Sequence, residues 1–229
     1  MGYLALDCTG ETYSCGLLTE GGRFTEVNGL NPRRALLDLP AHVAHLMSLS
    51  KLSYRELKGV GVPLGPGSFT GVRLGITLAK TIAFSSGCGM YAVDTLECLA
   101  DRYRGFYLSQ EGSLAVALDA RRGELYCGIF STDQGSPILS TGVREPQLFR
   151  QELTKRRDVL ALVGAGFAAY PELLPQGFRG PVATGRAETA LSMYSLALRT
   201  RESAQAGSLT APGLVSPAYH READIQVSG

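Results

Sequence analysis

A chain of 229 residues with 45% hydrophobic and 19% charged content can bury a sizeable core as one large domain or two lobes. Its 22 basic and 21 acidic residues leave a net charge of +1, which excludes a broad field for drawing in nucleic acid or an anionic membrane, so any RNA contact must be local or borrowed. Five scattered cysteines without CxxC spacing suggest neither a disulfide framework nor a zinc site, and no basic segment followed by an apolar run opens the sequence. The expectation is a cytoplasmic protein with no membrane partner.

In chain order, residues 3–6, 12–18 and 23–27 read as three strands of a meander with a Glu-Gly-Gly turn before the third. Asp7 ends the first strand and faces a turn containing Thr9, Gly10 and Thr12. An acid there can hold a hydrated metal beside a phosphate-gripping hairpin, or it can satisfy its own backbone in an Asx turn. Residues 33–50 predict a helix whose Leu36, Leu37, Leu39, Val43, Leu46, Met47 and Leu49 form more than one apolar stripe, with Pro40 in its early part. His42 and His45 lack an evident third ligand and read as a surface pair. Ser53 to Glu56 is a capping-box pattern, and 59–62 is a strand.

That strand feeds Gly65-Pro66-Gly67, a turn that opens a helix over 69–86 closed by Gly87. Ser68 or Thr70 can cap it, and Gly71 and Gly75 strip one helix face of side chains, so another backbone could approach. No lysine follows until Lys80, so a Walker loop is absent, and Thr70 breaks the dinucleotide fingerprint. A turn and close-packing device is favoured over a phosphate cradle. A strand at 90–93 and a helix to 103, capped by Asp94 or Thr95, complete the first half.

The second half repeats the first. Subtracting 7 from 119 gives an offset of 112, at which Ala5-Leu6-Asp7 meets Ala117-Leu118-Asp119 and Cys15-Gly16 meets Cys127-Gly128. A strand at 137–143, a helix at 147–156, a buried strand at 159–163, a helix at 188–199 and a loop-like tail from 203 follow. Two lobes, 1–103 and 113–229, are expected. Hairpins, helices and a parallel strand in each, with an aspartate after each first strand, point to an α/β duplicated ribonuclease H-like (actin-like ATPase, ASKHA) fold with mixed sheets.

Asp7-Cys-Thr, Gly65-Pro-Gly-Ser-Phe-Thr-Gly-Val-Arg-Leu-Gly75, Asp119-Ala-Arg-Arg-Gly-Glu-Leu-Tyr126 and Pro217-Ala-Tyr219, in this order, resemble the bacterial TsaB (YeaZ) family over nearly the whole chain. The resemblance implies a non-catalytic subunit needed for N6-threonylcarbamoyladenosine at position 37 of tRNAs reading codons that begin with A. Its implied partners are a TsaD-type transferase and a TsaE-type ATPase, with a separate synthase supplying threonylcarbamoyl-AMP. It implies a homodimer when alone and tRNA reached through the complex. No cofactor is required by this chain, and ATP and a metal belong to the partners. The related transferase has two histidines four apart where this sequence has Thr95 and Leu99, which cannot hold a metal as imidazoles do. Many TsaB proteins have a histidine in the first helix where this chain has Arg33-Arg34-Ala35.

No catalytic or metal residue is therefore assigned. Asp7, Thr9 and Asp119 are candidates for a vestigial nucleotide site. Leu36, Leu39, Val43, Met47, Gly71, Val72, Gly75 and Ile76 are candidates for the partner or dimer interface, so Val72→Glu is expected to weaken both associations. Arg121 and Arg122 offer an exposed basic spot, with a solvated turn favoured over a partner or RNA contact. The alternative is a small-molecule kinase or ATPase of the same fold, for which Gly164-Ala-Gly166 is the one candidate adenosine motif.

Overall fold

The computed structural model of the chain describes residues 1–107, 109–133 and 137–220. The end of the expected C-terminal lobe, 221–229, lies outside the described residues. The first lobe contains β1 (Gly2–Asp7), β2 (Tyr13–Thr19), β3 (Phe24–Gly29), α1 (Ala35–Leu49), β4 (Leu57–Pro63), α2 (Phe69–Ser86), β5 (Gly89–Val93) and α3 (Thr95–Arg104). The second contains β6 (Ser113–Arg121), β7 (Glu124–Ser131), β8 (Leu139–Arg144), α4 (Pro146–Thr154), β9 (Val159–Val163), α5 (Gly166–Ala169), β10 (Val182–Ala183) and α6 (Met193–Gln205).

The sheets run β3-β2-β1-β4-β5 and β10-β9-β6-β7-β8, the same order read from opposite ends. In each, three antiparallel strands continue into two parallel ones. This is the duplicated ribonuclease H-like, actin-like architecture. The central strand β1 is buried along its whole length, as a strand covered on both faces must be, and accordingly reads as a nearly continuous apolar run.

The lobes exchange helices. α3 packs on β6 and β7 of the second sheet, whereas α6, late in the chain, packs on β1, β2 and β4 of the first. Leu96 and Leu99 of α3, Met193 and Leu196 of α6, Ala5 of one sheet and Phe130 of the other share one buried cluster. Asp101 pairs with Arg104 inside α3 and, at 3.4 Å, with Arg199 of α6, so the middle layer is also tied by charge. The lobes expected at 1–103 and 113–229 thus interlock in space.

Local signals explain most element ends. Ser68 accepts the Gly71 N–H at the start of α2, and Gly87 at φ 70° closes it. Asp94, not Thr95, caps α3 through the Leu96 N–H. The Ser53–Glu56 capping box forms, but it closes a short 3-10 turn. The helix expected at 188–199 instead begins at Met193 and runs to Gln205, past the expected start of the loop-like tail. Glu188 turns back to accept the Thr184 and Gly185 N–H groups, at 3.1 and 2.7 Å, and Ser192 becomes the cap. The 112-residue offset aligns strands but not register: Leu6 pairs with Cys15, whereas Leu118 pairs with Tyr126.

Gly67 and Gly71 seat α2 on the first hairpin. A Cβ at Gly67 would lie 2.6 Å from the Thr9 carbonyl oxygen, and one at Gly71 would overlap the Cys8 carbonyl oxygen. Gly71→Ala should therefore cost at least about 2 kcal/mol by urea denaturation, because backbone, not a flexible side chain, has to move. Gly10→Ala, with nothing within 4 Å of its Cβ, should leave stability nearly unchanged.

Candidate functional site

The first cavity at the lobe junction encloses about 250 Å³ and includes Asp7, Thr9, Thr95, Leu99, Leu118 and Arg186 in its wall. Asp7 is buried, and its Oδ1 accepts both the N–H and the hydroxyl of Thr9, each at 2.7 Å. Burial raises its carboxyl above the usual range despite these hydrogen bonds. From the second lobe, Arg186 donates to the carbonyls of Glu11 (2.6 Å) and Leu30 (2.9 Å), clamping the hairpin that would grip a phosphate. Asp119 is absent from this wall. Its hairpin ends in a tight turn at 122–123, where Asp119 Oδ1 accepts the Arg121 N–H at 2.8 Å. The Asp7 and Asp119 candidates are therefore not brought into one cavity.

At the start of α2 two of the backbone donors are taken within the chain itself. The Ser68 N–H donates to the Thr9 carbonyl at 2.7 Å, and the Gly71 N–H is taken by Ser68 Oγ at 3.3 Å. Gly71 and Gly75 pack on Cys8, so their bare face serves intramolecular packing and not a partner. Gly164 and Gly166 do the same in the second lobe, against the backbone of Ala117, which corrects their reading as an adenosine motif. Leu39, Val43, Met47, Val72 and Ile76 all lie in the first lobe's own core, whereas Leu36 is 67% exposed. Their apolar spacing marks the inward stripe of each helix. A charge at Val72 would accordingly disturb folding before it reported on docking.

A second cleft, of about 920 Å³, lies where the Gly-Pro-Gly turn, the β6–β7 hairpin and residues 217–220 converge. Sequence reasoning singled out all three segments but not their meeting. Arg73 lies 3.8 Å from the Phe69 ring centroid, and its Nε and Nη2 donate to the Tyr219 hydroxyl at 3.1 and 2.9 Å. His220 Nε2 is 2.9 Å from Asp94 Oδ2, and the Ala218 N–H donates to the Leu64 carbonyl. Arg121 and Arg122 sit at φ 65° and 55°, a left-handed conformation costly for side-chain-bearing residues, and the Asp119 contact holds Arg121 there.

Comparison with known proteins places these features. The family model described as "TsaD: tRNA N6-adenosine threonylcarbamoyltransferase" matches residues 27–135. The tRNA threonylcarbamoyladenosine biosynthesis protein TsaB of Bacillus subtilis is 36% identical over 136 residues, 59% of this chain and 57% of that protein. That of Escherichia coli is 28% identical over 180 residues, 76% of this chain and 75% of its own length. The structure of YeaZ from Pseudomonas aeruginosa superposes with a TM-score of 0.76 at 26% identity, covering 96% of this chain and 100% of that one. Together these matches support a TsaB (YeaZ) assignment. The Bacillus match takes in less than two thirds of that relative's length.

Thr95 and Leu99 are buried in the wall of the first cavity. Among the described residues, no three His, Cys, Asp or Glu side chains converge where a metal could be held. His42 stacks on Tyr13, with centroids 5.8 Å apart, while His45 is exposed. Burial pushes the Cys8 and Cys15 thiols up to about 12, so neither supplies thiolate at neutral pH. Among the described residues no helix is long and apolar enough to cross a membrane.

The raised Asp7 carboxyl makes a signed prediction. Its charged form is destabilising at neutral pH, and this penalty disappears as pH falls through the raised folded value toward the unfolded one. Asp7→Asn, which keeps an acceptor for Thr9, should unfold at a temperature equal to or above the parent's at pH 7. The difference should close as pH is lowered toward the ordinary carboxylate range; a variant much less stable at pH 7 would contradict it.

Proposed function

We propose that this chain is a cytoplasmic, non-catalytic subunit in making N6-threonylcarbamoyladenosine on tRNA. It binds and supports a TsaD-type transferase together with a TsaE-type ATPase, and it forms a homodimer when alone. The relatives' names supply the pathway, and the state of the first cavity supports the accessory role. At about 250 Å³ it falls below the roughly 300 Å³ where small-molecule sites begin, and it is crossed by Arg186 and lined by Leu99, Leu118 and Leu191. ATP and a metal, on this reading, belong to the partner subunits.

The outer faces of α1 and α2 are the candidate docking surface. Exposed Ala41 and Ala44 on α1 and Thr77, Thr81 and Ser85 on α2 are small, so another helix pair could approach closely. Pro40, Leu78 and Thr81 help line a shallow groove of about 170 Å³, while Leu36, Leu37 and Phe84 stand 67%, 73% and 64% exposed. Apolar side chains that project this far favour a partner over water. A transferase built on the same architecture offers the matching helices.

Two experiments check this reading. Purified transferase, ATPase and synthase should modify tRNA efficiently only when this chain is added, and an equal rate without it would overturn the proposal. Leu37→Glu and Phe84→Glu should weaken both self-association and transferase binding by at least about tenfold, with the fold intact. Size-exclusion and pull-down measurements with neither association altered would move the interface elsewhere.

A further inference from the structure

The second cleft has a chemistry that its role as an inter-lobe seam does not require. Among the described residues its wall contains Arg73, Arg121, Arg122 and His220 but no carboxylate, on a chain whose net charge is only +1. The acids that fix it stand behind it, Asp94 against His220 and Asp119 against Arg121. Arg121 keeps its side chain 86% exposed while its Asp119 contact, at 3.3 Å, is a weak surface pair. A low-dielectric cleft lined by one sign of charge concentrates the opposite sign.

Beside the cations lie flat apolar faces. Phe69 and Tyr219 are each 60% exposed, with centroids 6.4 Å apart, and Arg73 is stacked on the first and hydrogen-bonded to the second. The two bonds to Tyr219 leave three of the five guanidinium N–H donors of Arg73 for an acceptor. The platform is preorganised: Lys80 holds the Val215 carbonyl at 2.9 Å and the Ala218 N–H holds Leu64, so the tail that carries Tyr219 is pinned across α2. Exposed rings interleaved with arginines suit a base stacked on the surface and a phosphate beside it. An enclosed site for a free nucleotide would instead bury most of its ligand.

We infer that this cleft binds single-stranded RNA, with a base on the Phe69–Arg73–Tyr219 platform and backbone phosphate at Arg121 and Arg122. This assigns RNA contact to the chain's own residues and rests on the tRNA-modification reading above. The solvated turn favoured for Arg121 and Arg122 from sequence thereby becomes one wall of a site. The strained backbone at both positions presents the two side chains from a rigid hairpin, as binding loops on scaffolds do.

The test is a fluorescence-anisotropy titration of the full chain with a fluorescein-labelled single-stranded RNA oligomer across a salt series, with ATP as competitor. Affinity should fall as salt rises. Arg121→Glu with Arg122→Glu should weaken binding at least about tenfold and flatten the log–log salt slope by about 0.7 for each phosphate that is no longer neutralised. Tyr219→Ala, at an exposed position, should weaken binding at least about fivefold with the slope unchanged. Folded variants that bind RNA as the parent does would overturn the inference. Displacement of the oligomer by ATP at concentrations comparable to the oligomer's own would also overturn it, giving the cleft to a free nucleotide. The same variants should still pull down the transferase, so a failed functional reading shows in that assay and a failed RNA site in the titration.

Discussion

The structure depends on one close approach: the start of α2 resting backbone to backbone on the tip of the β1–β2 hairpin. Gly67 and Gly71 permit it, the Ser68 N–H to Thr9 carbonyl bond fastens it, and Asp7 holds Thr9 from the other side. A hairpin tip and a helix N-terminus are the two parts that could otherwise cradle phosphate. Here the Ser68, Gly71 and Thr9 N–H groups are taken within the chain, and Arg186 holds the hairpin from the second lobe.

The exchange of helices follows from the same economy of surfaces. α3 and α6 lie between the sheets and bury Leu96, Leu99, Met193 and Leu196 in one shared cluster, so the lobes cannot part without opening core. In this chain the first cavity is small and walled in part by Leu99, Leu118 and Leu191, and the larger surfaces available are the α1–α2 face and the seam beside the Gly-Pro-Gly turn.

Much of this was legible because the signals were local. Ser68, Gly87 and Asp94 mark helix ends by capping chemistry, and 159–163 is a strand by its unbroken apolar run. The spacing of Gly71 and Gly75 correctly announced a close approach, but spacing names no partner, and the partner proved to be Cys8 of the same lobe. Leu39, Val43 and Met47 looked surplus to one core because the sequence does not show how much of α1 the first sheet covers. Asp119 was matched to Asp7 by offset, yet the register of its hairpin differs by one residue and its turn is tighter, which a gapless alignment of strands conceals. The pairing of Arg73 with Tyr219 spans 146 positions and carries no pattern that a linear reading could detect.

The central claim is that the lobe junction is closed to nucleotide and that this chain acts through its outer surfaces. Isothermal titration calorimetry of the full chain with magnesium-ATP, paired with Asp7→Asn, tests it most directly. The account predicts no binding that depends on Asp7. Saturable binding in the parent that Asp7→Asn abolishes would contradict it, because it would mean that the junction opens and Asp7 serves a ligand instead of the Thr9 turn.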